Sequence, residues 1–231
     1  IPFLIPFLFA MSIGPKLKWI KSDLQNKVQL ILFLIISFLL SIFIVKNLDI
    51  SFLLNTVLLT SAFYLFFISL RDFYLNKLTK LPQNLAHFGF SIFILSVLLN
   101  NIFSTEVITN LKVGETFKSE KFIINFESIN KKDQQNFRSI IGKFNVENNN
   151  GINEILNPEL RIYNQPNIIT SEADIKTNLF TDKFMTMNYV QNQDYFNIRY
   201  QIKPFMLWIW FSILIISFGG LISILQKRYE K

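Results

Sequence analysis

Val28 to Val45 reads VQLILFLIISFLLSIFIV, 18 residues without a charge. A helix rises 1.5 Å per residue, so about 20 apolar residues cover the roughly 30 Å of hydrocarbon in a bilayer. Working outward from this run, Ile50 to Leu70 (21 residues), Leu85 to Phe103 (19) and Pro204 to Leu225 (22) are also free of Asp, Glu, Lys and Arg. The pattern predicts an α-helical integral membrane protein with four transmembrane helices, at 28–45, 50–70, 85–103 and 204–225. Residues 104–203 are left as one small extracytoplasmic domain. Composition points the same way. Of the 231 residues, 51% are hydrophobic, 16% aromatic and 26 are Phe, and mean hydropathy is +0.34. Charged residues are only 17%, against about 25% in an ordinary soluble domain. A soluble globule would need a larger polar shell, and a disordered chain far less apolar content. The absence of cysteine excludes disulfides, thiolate metal sites and cysteine nucleophiles, and a single histidine excludes a multi-histidine metal site within this chain.

The opening stretch, Ile1 to Ile13, is apolar but too short to span, and Pro2, Pro6 and Gly14-Pro15 are expected to break it. Residues 1–27 therefore read as a partial or re-entrant helix followed by a basic cytoplasmic flank. The first residue is Ile, so the sequence reads as a fragment. Charge sorting sets the orientation. Lys16, Lys18, Lys21 and Lys27 precede the first span. Arg71, Lys77 and Lys80 lie between the second and third, and Lys227, Arg228 and Lys231 follow the fourth in the tail at 226–231. Lys46 alone lies in the turn between the first and second spans. Positive flanks stay cytoplasmic, so 104–203 is expected outside. That segment carries 12 basic and 12 acidic residues, so the net charge of +7 lies wholly in the flanks. Membrane orientation accounts for the basic clusters, and no nucleic-acid partner is expected.

Within 104–203, alternation with period two marks half-buried strands. Phe122, Ile124 and Phe126 share one face, as do Ile140, Gly142, Phe144 and Val146, and then Phe196, Ile198, Tyr200 and Ile202. Asn148-Asn149-Asn150-Gly151 is a turn signal, and Asn157-Pro158 and Gln165-Pro166 punctuate the rest. The expectation is a mostly β domain. Its last strand runs into the fourth span, with Pro204 in the first turn of that helix. Trp208 and Trp210 then fall at interface depth, although they could instead face a cofactor or partner. No nucleophile motif or paired carboxylate stands out in the domain, so it reads as a platform for other proteins.

His87, the one histidine, is an ionisable group at the start of the third span. Such groups face the bundle interior, and a neutral imidazole can ligate haem iron. Ala86 and Gly89 beside it let a flat macrocycle or another helix approach closely. The plainer role is a histidine near the headgroups. No second histidine exists, and none of Met11, Met185, Met187 and Met206 is expected at its depth.

Four blocks then resemble a known family. They are Gly14-Pro15-Lys16-Leu17-Lys18-Trp19; Ala86-His87-Phe88-Gly89; Pro158-Glu159-Leu160-Arg161-Ile162-Tyr163 followed by Ser171-Glu172-Ala173-Asp174-Ile175; and Lys203-Pro204, Trp208-Ile209-Trp210, Gly219-Gly220 and Lys227-Arg228. In order and spacing they are similar to the C-terminal part of the cytochrome c-type biogenesis family CcmF, a haem lyase subunit. Ser171 stands where that pattern has Thr. The resemblance implies covalent attachment of haem, as transferred substrate, to apocytochrome c. It also implies a separate membrane haem b that keeps the transferred iron reduced. His87 matches one axial ligand of that haem, and the second ligand lies outside this chain. Implied partners are a haem chaperone, apocytochrome c, thiol-handling maturation subunits and membrane lipid. The implied location is a bacterial inner membrane with 104–203 periplasmic, or alternatively a mitochondrial inner membrane. On this reading the fragment alone is not expected to be active. Arg161 and Tyr163 become candidates for family-type roles, beside plain packing and ion pairing. The competing reading is a membrane-anchored receptor, sensor or assembly scaffold with an external β domain.

Overall fold

A computed structural model describes residues 3–14, 27–46, 48, 51–75, 81–148, 151–190 and 193–229, without the side chains of 227–229. The chain falls into two compact units, Ile1–Asn101 with Met206–Lys231, and Ile102–Phe205. It is an integral membrane protein carrying a small β domain.

The first unit holds α1 (Leu4–Ile13), α2 (Lys27–Lys46), α3 (Phe52–Leu75), α4 (Leu81–Phe103) and α5 (Met206–Tyr229). Helices α2 to α5 are each long and apolar enough to cross a membrane, and α1 is a shorter apolar helix. Pro6 does not break α1, because it lies in the first turn, where its missing N–H costs nothing. Helix α4 starts four residues ahead of the expected Leu85, with Pro82 in its first turn. His87 consequently sits in the second turn.

Polar side chains turn inward in this unit. Hydroxyls of Ser12, Ser37, Ser41 and Thr60 donate to the carbonyls one turn back, of Leu8, Phe33, Ser37 and Thr56, at 2.7–2.8 Å. That bond is what lets a hydroxyl sit in a helix without water. Leu8, Ala62 and Leu65 form one buried cluster between α1 and α3, and Leu30, Tyr64 and Ile68 another between α2 and α3.

The second unit is a sandwich of antiparallel strands: β1 (Thr105–Leu111), β2 (Thr116–Lys118), β3 (Phe122–Asp133), β4 (Phe137–Asn148), β5 (Asn153–Leu156), β6 (Glu159–Tyr163), β7 (Ile169–Glu172), β8 (Asp174–Thr177), β9 (Thr181–Tyr189) and β10 (Phe196–Pro204). One sheet has the order β1-β10-β9-β8, and the other β2-β3-β4-β6-β7 with β5 also on β4. The alternating residues fill the space between them. Phe122, Ile124, Phe126, Phe144 and Val146 from one sheet pack with Met185, Met187, Ile198 and Tyr200 from the other. Phe126 and Phe144 stack at 4.2 Å. Gly142 is needed where it stands, because a Cβ there would meet Phe144 Cε2 at 2.6 Å and Met187 Sδ at 2.9 Å. Gly151, at φ 71°, closes the turn after β4 by donating its N–H to Asn148 O at 2.8 Å. Asn149 and Asn150 of the expected turn lie outside the described residues.

Pro204 corrects an expectation. It is the last residue of β10, opposite Thr181, and not part of a helix. The switch from strand to helix falls on Phe205 alone. Its φ of 61° is unusual for a bulky residue, and its N–H donates to Phe180 O at 2.7 Å.

Candidate functional site

Helices α3 and α4 are held together by side chains flanking His87. The hydroxyls of Ser69 and Ser91 lie 2.8 Å apart, and each is also 2.7 Å from a carbonyl of its own helix, Leu65 O or Phe88 O. Asn84 Nδ2 donates to Asp72 O at 3.2 Å. Phe88 stacks on Phe73 at 5.5 Å and tilts against Phe66 at 6.0 Å. Arg71 pairs with Asp72 and donates to Gln29 Oε1 of α2 at 3.0 Å. These contacts fix the start of α4, and with it the histidine.

His87 is half-buried and lines a small cavity with Met11 of α1, Leu65, Ile68, Ser69 and Asp72 of α3, and Gln83 and Asn84 of α4. Met11 therefore does lie beside His87, contrary to expectation, because α1 packs across α3 and brings it there. Asp72 was missed because the sequence places it in a connecting loop, whereas α3 continues to Leu75. The cavity measures about 30 Å³, room for a water or two. The imidazole is a suitable donor for haem iron, but a flat macrocycle does not fit in this space. A porphyrin could meet the ring only at its uncovered side.

The small residues on α4 are occupied by a helix. A Cβ on Gly89 would fall 2.8 Å from Ile216 Cγ1 of α5, and one on Gly219 of α5 would fall 2.9 Å from Pro82 O and 3.0 Å from Ala86 N. Of the two approaches those residues permit, the structure uses that of a helix. Gly220, the other member of the pair, meets nothing within 4 Å. Trp210 is 62% exposed, whereas Trp208 packs edge-on to Phe211 at 6.1 Å. Among the described residues, no group of three or more His, Asp or Glu gathers as a metal site. Of the first sequence block only Gly14 is described. Pro15 to Trp19, and Lys16, Lys18, Lys21, Lys77, Lys80 and Lys231 of the basic flanks, lie outside the described residues.

On the external domain, Arg161 is engaged within its own sheet. It forks onto Glu159, with both N–O distances 3.1 Å, lies 3.9 Å from Glu172, and stands 5.2 Å over the Phe137 ring, which itself packs on Tyr163. The guanidinium holds the Glu159 carboxyl below its usual range, and the carboxylate in turn raises the guanidinium. Ser171 Oγ donates to Met187 O at 2.7 Å, so the Ser in place of Thr keeps a hydroxyl bond between the sheets.

A second polar feature lies between the sheets. Lys183 Nζ meets Glu154 Oε1 at 2.5 Å, and Lys183 is 8% exposed. Burial first, and the nearby Glu154 charge second, push the Tyr200 phenol well above its ordinary range. The sequence carried a signal for only one member of this pair. Lys183 shares parity with the buried Met185 and Met187 of β9, whereas Glu154, in four-residue β5, carries no period of its own. The pair borders a groove of about 320 Å³ lined also by Ile155, Lys176, Thr177 and Asn178.

Comparison with known proteins adds the following. Residues 102–204 match the family described as the CcmF C-terminal β-sandwich. The cytochrome c-type biogenesis protein CcmF of Pseudomonas fluorescens is 30% identical over 64% of this chain and 22% of its own length. The CcmF proteins of Haemophilus influenzae and Escherichia coli are 24% and 23% identical over 97% and 99% of the chain, each over 37% of the relative. The chain thus spans little more than a third of the length of these relatives at most. A solved structure of the cytochrome c haem lyase CcmF superposes with a TM-score of 0.72 over 95% of this chain and 38% of that one, at 16% identity, a likeness of fold.

Proposed function

From the premise that this chain is a C-terminal portion of the CcmF family, we propose that it works in cytochrome c maturation as part of a haem lyase. Covalent attachment of haem to apocytochrome c is the reaction it serves, with haem as the transferred substrate. The observation that carries this reading is the presence, in one chain, of the family's β-sandwich and a lone imidazole turned into a group of membrane helices. His87 is the residue of this chain that would hold a membrane haem b, through a ring nitrogen. The second ligand, and the walls that receive the macrocycle, come from outside the described residues, since the cavity beside His87 is too small. Such a haem would supply reducing equivalents to the transferred iron. What this chain's own residues do is orient the nitrogen donor, through the Ser69–Ser91 and Asn84–Asp72 contacts that tie α4 to α3.

The sandwich, with equal numbers of opposite charges, is the contact surface for apocytochrome c, the haem chaperone and thiol-handling maturation subunits. The relatives' bacterial sources and the basic flanks support a bacterial inner membrane with the sandwich on the periplasmic side.

His87→Ala in the haem-loaded protein tests the ligand assignment. Loss of the b-type absorption is expected, with restoration by His87→Met at a shifted potential. Spectra left intact by the alanine overturn the assignment while leaving the family reading untouched. If the protein instead serves as a receptor or scaffold, deleting it leaves cytochrome c haem attachment in cells unimpaired.

A further inference from the structure

The sandwich leaves two strand edges open side by side. Among the described residues β5 pairs only with β4, and β8 only with β9. Alternation along an antiparallel ladder decides which backbone groups such pairing uses. Asn178 N donates to Thr181 O at 3.0 Å, so these two form a bonded pair. Counting back along the register, Lys176 with Lys183 and Asp174 with Met185 are bonded pairs as well. Ile175 and Thr177 between them therefore turn their N–H and C=O away from β9. The same count from Asn148 N, which donates to Ile152 O at 3.1 Å, turns the N–H and C=O of Asn153 and Ile155 away from β4.

Both edges border one groove, the space of about 320 Å³ lined by Glu154, Ile155, Lys176, Thr177, Asn178 and Lys183. Asn157 N ties the strands at one end by donating to Asp174 Oδ2 at 2.6 Å. Beyond that tie no ladder joins β5 to β8 among the described residues. Deeper in, Lys183 directs a proton to Glu154 Oε1, while Glu154 Oε2 is buried with no hydrogen-bond partner among the described residues. A buried acceptor left unpaired costs about 1–3 kcal/mol, so the groove is short of a donor. Ile155 and Ile175, on the two edges, stand 46% and 48% exposed. β-Branched side chains of this kind pack against a neighbouring strand.

Edge N–H and C=O groups two residues apart, flanking isoleucines and an unmet acceptor together fit an extended polypeptide, which presents its own main-chain groups at the same spacing. A small ion would engage the Lys183–Glu154 pair and leave the edges unused. Of the partners proposed above, apocytochrome c is the one met before its haem is in place, while its backbone still lacks the hydrogen bonds of a finished fold.

We propose that the β5–β8 groove receives an extended segment of the apocytochrome polypeptide as a strand added to β8. It pairs with the N–H and C=O groups of Ile175 and Thr177 and brings a hydrogen-bond donor to Glu154 Oε2. This rests on the reading of the sandwich as a contact surface for apocytochrome c and is independent of His87.

Residue-resolved hydrogen exchange on the full chain in detergent, with and without haem-free apocytochrome c polypeptide, tests it. The amides of Ile175 and Thr177 are expected to exchange about tenfold or more slowly with the polypeptide bound, and those of edge strand β2 at an unchanged rate. Thr177→Pro deletes one of the edge N–H groups without removing a bond to β9, and should weaken binding about fivefold. Thr177→Ala keeps that N–H and should bind as the parent does. Binding without protection at 175 and 177 overturns the groove and leaves the contact reading intact. Equal weakening by both substitutions overturns main-chain pairing. Protection that grows with the concentration of the chain alone assigns the edge to a second copy and overturns the proposal too. No binding of the polypeptide overturns the contact reading itself, and this proposal with it. The exchange measurement on the parent needs no substitution, so it decides even where proline disturbs the hairpin.

Discussion

In the β-sandwich the buried side chains are Phe122, Phe126, Phe144, Met185 and their neighbours, with Ser139, Asp182 and Lys183 as the polar exceptions. In the helical unit the buried set includes Ser12, Ser37, Ser41, Thr56, Ser61, Ser69, Asn84, Ser91 and Ser96, while Phe43, Leu53, Trp210, Phe218 and Ile224 stand more than half exposed. The same chain therefore solves two opposite solvent problems. Water drives the sandwich to hide its aromatic rings. Lipid offers no such drive between helices, which associate instead through close backbone approach and internal hydrogen bonds. A single hydrophobicity argument explains one unit and fails for the other.

The sharpest way to test this contrast is to delete apolar volume in each unit. Phe144→Ala leaves a cavity at the centre of the sandwich, where the ring is fully buried and stacked on Phe126. It is expected to cost about 3–5 kcal/mol, read as the loss of protease resistance of residues 102–204 in the full chain. Ile224→Ala on the exposed face of α5 should leave that resistance unchanged. A small effect for Phe144→Ala would mean that the sandwich does not depend on its own core.

In the helical unit the decisive change adds volume. Gly219→Ala drives a Cβ into the backbone of α4, at Pro82 O and Ala86 N, neither of which can swing aside. Overpacking of this kind costs about 1–3 kcal/mol. Gly220→Ala, one position along in open space, should gain roughly 0.5–1 kcal/mol from helix propensity. Thermal unfolding in detergent compares the two. Equal responses would mean that α4 and α5 do not meet as described.

These contrasts also explain what the sequence discloses and what it withholds. Run length is a one-dimensional property, so the apolar stretches alone mark α2 to α5. Alternation marks β3, β4 and β10, where apolar residues recur at every second position, but not β9, equally long, where the polar Asp182 and Lys183 are both buried and interrupt the period. Strands β5, β7 and β8 have four residues each, too few to establish a period. Pairing of β1 with β10 joins residues about ninety apart, which no local pattern encodes. Around His87, the imidazole is visible as an ionisable group in an apolar run, but Met11 and Asp72 reach it only through the packing of α1 and the extra turn of α3. Proline misled twice, at Pro6 and Pro204, because its compatibility with a first turn or a strand end depends on where the element begins.

The smallest expected effect concerns the polar outer face of the sandwich, where the comparison predicts that water keeps ion pairs weak. Arg161 and Glu159 leave 34% and 22% of their side chains exposed, so their fork is worth about 0.5–1 kcal/mol. The Glu159 carboxyl is held below its ordinary value of 4.5 by Arg161 first, with Ser139 and the Lys132 charge assisting. A group whose folded-state value is depressed stabilises the fold above its unfolded value and loses that contribution as pH falls through the folded one. The sandwich should thus weaken as pH drops below about 4.5. Glu106, depressed by its hydrogen bond to Arg199, contributes a background of the same sign. Subtracting Glu159→Gln from the parent isolates the pair. The variant should lie about 0.5–1 kcal/mol below the parent at pH 7 and converge with it as the pH falls well below the ordinary carboxyl value of 4.5, read from urea midpoints of the full chain. Arg161→Lys keeps the charge and loses the fork, so it should fall between the two. A parent and Glu159→Gln that differ equally at both pH values would assign the loss to the changed side chain at 159 itself and leave the ion pair no part in stability.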